Sequence, residues 1–495
     1  MTSARARPEF RSEQIARLRD VLAAAQYTEQ NAALALRLPM PLRIPGGNVS
    51  WLSRRLSREG ALPALLRLFL LGESVEGAAL QALPPPGAAS QLVDAGFLRV
   101  EDDRFRADFR ITPVGDLLIA HDPEEPVLPD HVPGLGPASR TLAGLTVRER
   151  VALALDLGTG CGIQALLAAS HADRVVATDI SERALEFARF NAALNRIDNV
   201  EFRQGNLFEP VEGEAFDLII ANPPFVISPD TAYTFRDSGL GRDAVSAAVI
   251  TGAAARLREG GRAAILFSWI HSNEDSEGPV RAWLDGAGCD TWVLHHQSEE
   301  PLDYAVKWNE LARREGSAQF EAAVGRWLEY YAAERIEQIA NGAAILQKRA
   351  GENWFRVERM PGSPQESASA HILRVFAAQG RMQELGDEEL LLGETFSLVD
   401  GHRLDQSMVY RAREFTIDSI QMYLDEGVGL RGRIQPLAIH VLLRLDGQQS
   451  LRALIAVVEE ELGLEHTELQ QAVVTSVREL YGLGFLTAAG MTWLT

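Results

Sequence analysis

The chain has few of the residues on which many structural and functional sites depend. Only two cysteines are present, Cys161 and Cys289, so a disulfide scaffold and a thiolate metal cluster are excluded. The histidines show no metal-ligand spacing, and we expect no metal site. No apolar run reaches the roughly eighteen residues that span a membrane, and the N-terminus lacks an apolar signal core. We therefore expect a cytoplasmic protein without membrane contact.

Positive charge is also scarce, because the chain has 68 acidic and 48 basic residues and a net charge of -20. Phosphate binding draws its strength from lysine and arginine, so this balance favours a protein or peptide partner over RNA or DNA. A local basic patch on an acidic chain keeps RNA and DNA open as partners. The 46% of hydrophobic residues is ample for buried cores, and 495 residues correspond to about three domains.

An apolar strand pattern, FDLIIANPPF at residues 216–225, ends in residues that suit a planar amino group. Pro223 and Pro224 have no backbone N–H and hold the chain extended, which leaves carbonyl oxygens facing a site. The Asn222 side-chain oxygen and the Pro223 carbonyl can accept both hydrogens of an NH2 group. Phe225 offers a ring for stacking. The alternative is a stiff turn after a buried strand.

A glycine-rich turn lies upstream, in VALALDLGTGCGIQALL at residues 151–167. This pattern predicts a strand that ends at Asp156, a turn through Gly158, Gly160 and Gly162, and then a helix. Glycine at these positions lets the backbone approach a ligand closely. The spacing differs from the G-x-G-x-x-G dinucleotide fingerprint, and a carboxylate there suits a cationic or zwitterionic cofactor better than a pyrophosphate.

Two further strand ends carry candidate cofactor-binding residues. The strand RVVATDI ends in Asp179, where a carboxylate binds ribose hydroxyls in folds of this kind; a helix N-cap is the alternative. After the strand in NVEFRQGNLF, we expect Asn206 to accept a hydrogen bond from an adenine amine. Leu207 and Phe208 are expected to pack near the ring. The alternative for Asn206 is a purely structural turn residue.

These motifs, DLGTGCG, ATDIS, QGNLF and ANPPF, occur in the order and spacing of a known family. Residues from about 150 to 270 resemble class I S-adenosylmethionine-dependent methyltransferases of the branch with [ND]-P-P-[YFW] after the fourth strand. The resemblance implies S-adenosylmethionine as cofactor. The glycine turn with Asp156 would hold its methionyl part, Asp179 its ribose and Asn206 its adenine, with Leu207 and Asn222 as further cofactor contacts. The family usually has aspartate at position 206, so we expect weaker cofactor binding.

Within that branch, the neutral NPPF tip and GLGRDAVS at residues 239–246 look most similar to release-factor glutamine methyltransferases and adenine or guanine amino methyltransferases. We therefore expect direct methyl transfer to a planar NH2, with Asn222, Pro223 and Phe225 as catalytic residues. A glutamine or asparagine amide of a protein or peptide is favoured. Methylation of an RNA or DNA base, at adenine N6 or guanine N2, stays open, and so does a cofactor-sensing DNA-binding regulator.

The predicted fold is α/β, with a Rossmann-like core of seven mostly parallel strands between two mainly helical, winged-helix-like regions. We expect an N-terminal region at residues 1–125, the core at 126–352 and a C-terminal recognition or assembly region at 353–495. A charged insertion at about 298–339 carries several aromatic residues; packing is favoured for these, and the insertion is a candidate for substrate selection. The N-terminal region is expected to cap the cofactor site or to form a dimer contact.

Overall fold

The computed structural model describes residues 10–44, 50–57, 59–124, 128–237, 239–364, 366–384, 387–463 and 465–488. The boundary expected at residues 125 and 126 lies outside these ranges. Within them, no helix has both the length and the apolar character needed to cross a membrane.

The N-terminal region packs short helices around its own apolar core. In the first helix, Ile15, Leu18 and Leu22 recur at a spacing of three or four residues and are all buried. The helices are α1 (Ser12–Ala24), α2 (Glu29–Leu36), α3 (Ser50–Ser53), α4 (Ala61–Leu65), α5 (Gly77–Leu80) and α6 (Ala88–Asp94), with a π-helix at Leu66–Leu71.

Five short strands complete this region: β1 (Val75–Glu76), β2 (Arg99–Glu101), β3 (Arg104–Arg106), β4 (Arg110–Val114) and β5 (Leu117–His121). The first three form an antiparallel sheet in the order β1-β3-β2, and β4 pairs with β5 in a separate hairpin. Helices and a β-hairpin were both expected here. The winged-helix identity of the region stays a prediction.

The core is one mixed sheet of eight strands in the order β13-β11-β12-β10-β9-β6-β7-β8. The last four residues of β6 and of β9 are buried, as near-continuous apolar strands of parallel sheets usually are. The strands are β6 (Val151–Leu157), β7 (Ala172–Asp179), β8 (Val200–Gln204), β9 (Phe216–Ala221), β10 (Leu257–His271), β11 (Cys289–Glu299), β12 (Gln338–Lys348) and β13 (Phe355–Arg359).

The helices between these strands make the core an α/β fold. They are α7 (Pro137–Leu145), α8 (Ile163–Ala168), α9 (Glu182–Leu194), α10 (Ala244–Arg256), α11 (Gly278–Leu284), α12 (Pro301–Trp308), α13 (Glu310–Glu315) and α14 (Ser317–Ala333), with a 3₁₀ turn at Glu209–Val211. Strand β12 is antiparallel to β10 and β11, whereas the other neighbouring pairs are parallel. The α/β class and the mostly parallel sheet are therefore confirmed.

The strand count differs from the seven that were predicted. The eighth strand, β13, pairs in parallel with β11, so the core sheet extends past residue 352, where the core was expected to end. Its sequence FRVER alternates apolar and polar residues, which is the pattern of a half-buried strand, but the run is short and lies at the sheet edge, beyond the predicted end of the core. Helices α12 to α14 form the insertion between β11 and β12, at the position expected for residues 298–339.

The C-terminal region is not mainly helical, which corrects the prediction. It contains β14 (Thr395–Leu398), β15 (His402–Arg411), β16 (Glu414–Leu424), β17 (Arg431–Ile434), β18 (Asp446–Ser450) and β19 (Leu486–Ala488). These strands form two antiparallel sheets, β18-β14-β19 and β15-β16-β17. The helices are α15 (Ser369–Glu384), α16 (Glu388–Gly393), α17 (Ile439–Leu442), α18 (Leu451–Leu462) and α19 (His466–Gly482), with a 3₁₀ turn at Pro436–Ala438.

Two asparagines join the N-terminal hairpin to helix α9 of the core. The Asn191 side chain accepts a hydrogen bond from the Ala120 N–H at 2.7 Å and donates one to the Ala120 carbonyl at 2.9 Å. Asn195 makes the same pair of bonds with Leu118, both at 2.8 Å. Asn191 also donates to the carbonyl oxygen of Cys161 in the glycine turn, at 2.8 Å. Strand β5 is thus fixed to the core by side-chain amides that act as a neighbouring strand would.

Candidate active site

The sheet places a cavity of about 550 Å³ at the carboxyl ends of β6, β7, β8 and β9. Strand order reverses at β6, because β7 and β8 follow on one side and β9 and β10 on the other. Ligands of open α/β sheets bind at such a switch point. Seven of the ten predicted site residues line the cavity: Gly158, Gly160, Asp179, Asn206, Leu207, Asn222 and Pro223.

The glycine turn forms one wall of the cavity. Gly158 and Gly160 have φ values of 72° and 55°, which side-chain-bearing residues rarely adopt. A Cβ atom built on either residue would have no heavy atom within 4 Å. Because both residues line the cavity, a side chain there would occupy ligand space. The turn therefore presents bare backbone to the cavity.

Gly162 does not line the cavity and has a packing role instead. Its φ is 88°, and a Cβ atom there would lie 3.0 Å from the Cβ of Ala188 on α9. The start of α8 therefore approaches α9 more closely than a side chain permits. The predicted cofactor contact of Gly162 is indirect, through the position of the turn.

We expect Gly162→Ala to lower the free energy of unfolding by about 2 to 4 kcal/mol, because left-handed strain and overpacking add. Gly213→Ala is the matched control, since φ there is also positive, at 76°, but no heavy atom lies within 4 Å of the Cβ position. The control should lose only the strain component. Urea unfolding of both variants measures these changes in the free energy of unfolding. An equal decrease in the two variants would contradict the packing role of Gly162.

Asp156 lies beneath the turn, away from the cavity lining. Its buried carboxylate accepts hydrogen bonds from the Thr159 hydroxyl at 2.6 Å and from the Ala165 N–H at 2.9 Å. Burial, with a smaller effect of the nearby Asp179 carboxylate, raises the pKa of Asp156 from 3.8 to about 7. In the structure Asp156 shapes the turn, and its side chain does not line the cavity.

This raised pKa predicts a pH-dependent stability. A carboxyl group whose pKa is higher in the folded than in the unfolded protein makes the folded state bind the extra proton between pH 4 and pH 7. Its stabilising effect is complete below about pH 4 and is lost as the pH rises to about 7, by up to about 4 kcal/mol. Asp156→Asn should lack this loss. Urea unfolding of both proteins at pH 5 and pH 7.5 tests it; parallel pH profiles would contradict the assignment.

Asp179 connects the second core strand to the glycine turn. One carboxylate oxygen accepts the Gly160 N–H and the other accepts the Ser181 N–H, each at 2.9 Å. Burial raises the pKa of this carboxyl group above its usual value. The side chain also lines the cavity, so it is available to a ligand that lies against the turn. The helix N-cap is Ser181 and not Asp179.

Asn206 and Leu207 reach the cavity from the turn after β8. The Asn206 side chain is exposed, and Leu207 has a φ of 45°, which turns the chain sharply. Phe208, expected near the cofactor ring, is buried elsewhere. The Arg256 guanidinium lies 4.6 Å from the centroid of the Phe208 ring. A Cβ atom on Gly252 of α10 would lie 2.3 Å from the Cε2 atom of the same ring. Phe208 thus belongs to the packing of α10.

The Asn-Pro-Pro tip faces the same cavity as the glycine turn. Asn222, Pro223 and Pro224 all line it, and β9 holds them directly beside β6. Phe225 does not line the cavity, which corrects its predicted stacking role. It packs against the apolar core to which the C-terminal region contributes.

Two aromatic rings that sequence reasoning missed line the cavity. Phe235, which is 36% exposed, and His131, which is 8% exposed, have ring centroids 5.5 Å apart. His131 lies in the segment between β5 and α7, outside any helix or strand. Phe235 lies ten residues after the NPPF tip. Neither residue lies in a periodic pattern or a motif, so only their three-dimensional proximity identifies them.

The loops that carry these rings are tied to each other. The Thr234 N–H donates to the Pro129 carbonyl at 3.0 Å, and its hydroxyl donates to the same oxygen at 3.2 Å. Arg183 on α9 binds both carboxylate oxygens of the buried Asp122. The Asp122 carboxylate also accepts the Val132 N–H at 2.8 Å. One side of the cavity is therefore closed by two mutually bonded loops.

The insertion holds the loop after the NPPF tip from its outer side. The Tyr331 hydroxyl donates to the Ile227 carbonyl at 2.8 Å, and the Ile227 N–H donates to the Tyr304 hydroxyl at 3.2 Å. Trp327 donates to an Asp230 carboxylate oxygen at 2.8 Å. These three aromatic side chains are buried, as the packing interpretation predicted. The insertion therefore affects the cavity by positioning this loop.

Two family models match parts of the chain. The model described as methyltransferase small domain matches residues 134–273, which contain all the predicted site residues. A model described as a domain of unknown function, DUF7059, matches residues 47–108 in the N-terminal region.

Relatives with matching segments include three named methyltransferases. A release factor glutamine methyltransferase from Xylella fastidiosa is 38% identical over 146 residues, 27% of this chain and 51% of the relative. A ribosomal protein uL3 glutamine methyltransferase from Bradyrhizobium diazoefficiens is 43% identical over 103 residues, 20% of this chain and 31% of the relative. A ribosomal protein L11 methyltransferase from Lactobacillus johnsonii is 42% identical over 94 residues, which are 18% of this chain and 30% of the relative. The chain thus spans about half or less of the length of these relatives.

Similar solved structures include a methyltransferase from Pyrococcus furiosus, with 18% identity and a TM-score of 0.28, covering 47% of this chain and 89% of that one. A ribosomal protein L11 methylase from Lactobacillus delbrueckii subsp. bulgaricus has 21% identity and a TM-score of 0.26; the match covers 43% of this chain and 79% of the methylase. The assignment of the α/β core rests on the strand order of this chain.

Proposed function

We infer that this chain, whose residues 134–273 belong to the methyltransferase small domain family, is an N-methyltransferase that acts on a glutamine side-chain amide of a protein. One observation carries the proposal: the Asn-Pro-Pro tip and the glycine turn line the same cavity. A donor bound at the turn and an amino group bound at the tip are thereby brought into one enclosed space.

S-adenosylmethionine is the cofactor of this family, and the residues present fit it. Bare glycine backbone at Gly158 and Gly160 leaves room for the methionyl part. The Asp179 carboxylate, already held by two backbone N–H groups, is placed to accept ribose hydroxyls. Asn206 reaches the cavity with an amide oxygen that can accept the adenine amine. When bound, the cofactor supplies an electrophilic methyl group on a sulfonium.

The tip supplies what a planar NH2 group needs in order to react. An amide nitrogen is a poor nucleophile because its lone pair is conjugated with the carbonyl. The Asn222 side-chain oxygen and the Pro223 carbonyl each accept one of its hydrogens, which draws the nitrogen toward a tetrahedral geometry. The two prolines contribute no N–H that would compete for these oxygens. Positioning of this kind lowers a barrier by up to roughly 7 to 11 kcal/mol.

The charge of the cavity favours a protein amide over a nucleic-acid base. No lysine or arginine is found among the described residues that line it, whereas the Asp179 carboxylate is; Asp237 also lines it but is paired with Arg236. A nucleotide acceptor would bring phosphates to a lining that has no lysine or arginine to neutralise them. A glutamine side chain is neutral and brings no such cost. Relatives named for release factors and ribosomal protein uL3 as glutamine substrates agree with this choice.

The proposal is tested with cofactor that carries a radioactive methyl group. Incubation with cell extract should label a protein, and protease but not nuclease should release the label. Complete enzymatic digestion should yield labelled N-methylglutamine, which acid hydrolysis converts to glutamate and labelled methylamine. Asn273→Ala, a substitution of an exposed asparagine outside the cavity lining, is the control for handling. Label released by nuclease would instead identify the acceptor as an amino group of a nucleic-acid base. Label found on neither class would contradict an enzymatic function.

A further inference from the structure

His131 is held as a cavity-facing group and not as an ordinary core histidine. Its side chain is only 8% exposed, yet it lines the cavity beside Phe235. Its Nδ1 atom is buried and makes no hydrogen bond within the described residues. Nothing in the transfer step derived above uses this residue.

The surroundings fix which side of the ring faces the cavity. Nδ1 lies 3.7 Å from a carboxylate oxygen of Asp122, which is itself buried and bound by Arg183. Since Nδ1 is turned toward Asp122, Nε2 is the ring nitrogen left for the cavity. A carboxylate facing Nδ1 favours the tautomer that carries its proton there, so Nε2 is a hydrogen-bond acceptor.

The charged groups around His131 leave it neutral. Burial and the Arg183 guanidinium lower its pKa, and these effects outweigh the opposite pull of Asp122 and Asp130, so the pKa lies below the usual histidine value. The neighbouring ring of Phe235 adds no charge. A neutral imidazole keeps the acceptor lone pair on Nε2 at neutral pH.

We propose that His131 and Phe235 form a second subsite of the cavity, which binds the backbone of an uncharged peptide segment beside the methylated glutamine. This inference rests on the proposed function. Nε2 of His131 accepts a hydrogen bond from a peptide N–H, and the half-exposed face of Phe235 covers the adjoining peptide plane. The Asn-Pro-Pro tip is proposed to bind only the side-chain NH2 of the acceptor, so this subsite supplies the selection for a polypeptide.

The loop contacts support a subsite that is formed before the substrate arrives. Thr234, next to Phe235, is bonded to Pro129, two residues before His131. The insertion fixes the base of the Phe235 loop through Tyr331 and Ile227. Both rings are therefore held by bonded loops, and little ordering is needed on binding.

The test compares His131→Phe with His131→Gln in the full chain, using as acceptor the purified extract protein that the wild type labels. Phenylalanine keeps the ring and removes the acceptor atom, whereas glutamine restores a side-chain oxygen. His131→Phe should raise KM for the acceptor protein about ten- to a hundredfold, with kcat changed much less. His131→Gln should recover part of this loss. Phe235→Leu should also raise KM.

Binding of S-adenosylhomocysteine, measured by calorimetry, separates this role from a structural one. Both His131 variants should bind it within about twofold of the wild type, because neither substitution alters the glycine turn or the Asp179 carboxylate. An unchanged KM in His131→Phe, or a parallel loss of S-adenosylhomocysteine affinity, would overturn the subsite while leaving the proposed function intact. Absence of protein label from the wild type would overturn both.

Discussion

Asn222→Ala should lower kcat by about 10²- to 10³-fold, the usual consequence of removing a preorganised polar group from a transition state. The side-chain oxygen is proposed to accept one hydrogen of the substrate NH2. Without it, the lone pair stays conjugated and one N–H group is left unpaired in an enclosed cavity. The glycine turn and Asp179 are not altered by the substitution. The affinity for S-adenosylhomocysteine should therefore stay within a few-fold of the wild type.

Rates with radioactive cofactor and calorimetric affinities measure the two effects separately. Asn273→Ala is a matched control, because that asparagine is exposed and its side chain bonds to Glu337. It should change neither quantity. Equal losses of rate and cofactor affinity in Asn222→Ala would mean that the residue holds the cofactor, not the acceptor.

Asp179→Ala should weaken cofactor binding by about a hundredfold or more. The substitution removes the carboxylate proposed to accept ribose hydroxyls, and hydrogen bonds to charged groups contribute about 1.5 to 3 kcal/mol each. It also releases the N–H groups of Gly160 and Ser181, so the turn loses a restraint at its centre. The rate at saturating cofactor should fall much less than the affinity.

The control for this variant is Asp173→Ala, at the opposite end of the same strand. Asp173 is exposed and pairs with Arg150 on the surface, where an ion pair contributes little. Calorimetry with S-adenosylhomocysteine compares the two proteins. An Asp179→Ala affinity equal to that of Asp173→Ala would exclude a ribose contact by this carboxylate.

The sequence predicted the central strands because each is a compact apolar run that ends in a motif. Strands β6 and β9 are buried on both faces, so their composition identifies them almost independently of context. Strand β13 lies at the sheet edge and has only partly buried or exposed residues, and its sequence carries no comparable signal. The β15–β16 hairpin was missed for the same reason, since most of its residues are exposed.

Strand topology alone predicts which of the candidate site residues lie close together. Carboxyl ends of parallel strands meet at one edge, which is why Asp179, Asn206 and Asn222 were predicted to lie together and do so. The direction of single side chains depends on finer geometry, so Asp156 and Phe225 were placed in the cavity but lie outside its lining. His131 and Phe235 meet only through contacts between distant loops.

The side-chain amides of Asn191 and Asn195 make the glycine turn dependent on residues far upstream in the chain. A shortened protein that starts after His121 would leave the polar groups of Asn191 and Asn195 facing the space that strand β5 fills. The Asn191 side chain would then be free to rotate away from the Cys161 carbonyl, and the glycine turn would lose this hydrogen bond. A chain shortened in this way should therefore have a loosened glycine turn even where all eight strands of its core sheet are present.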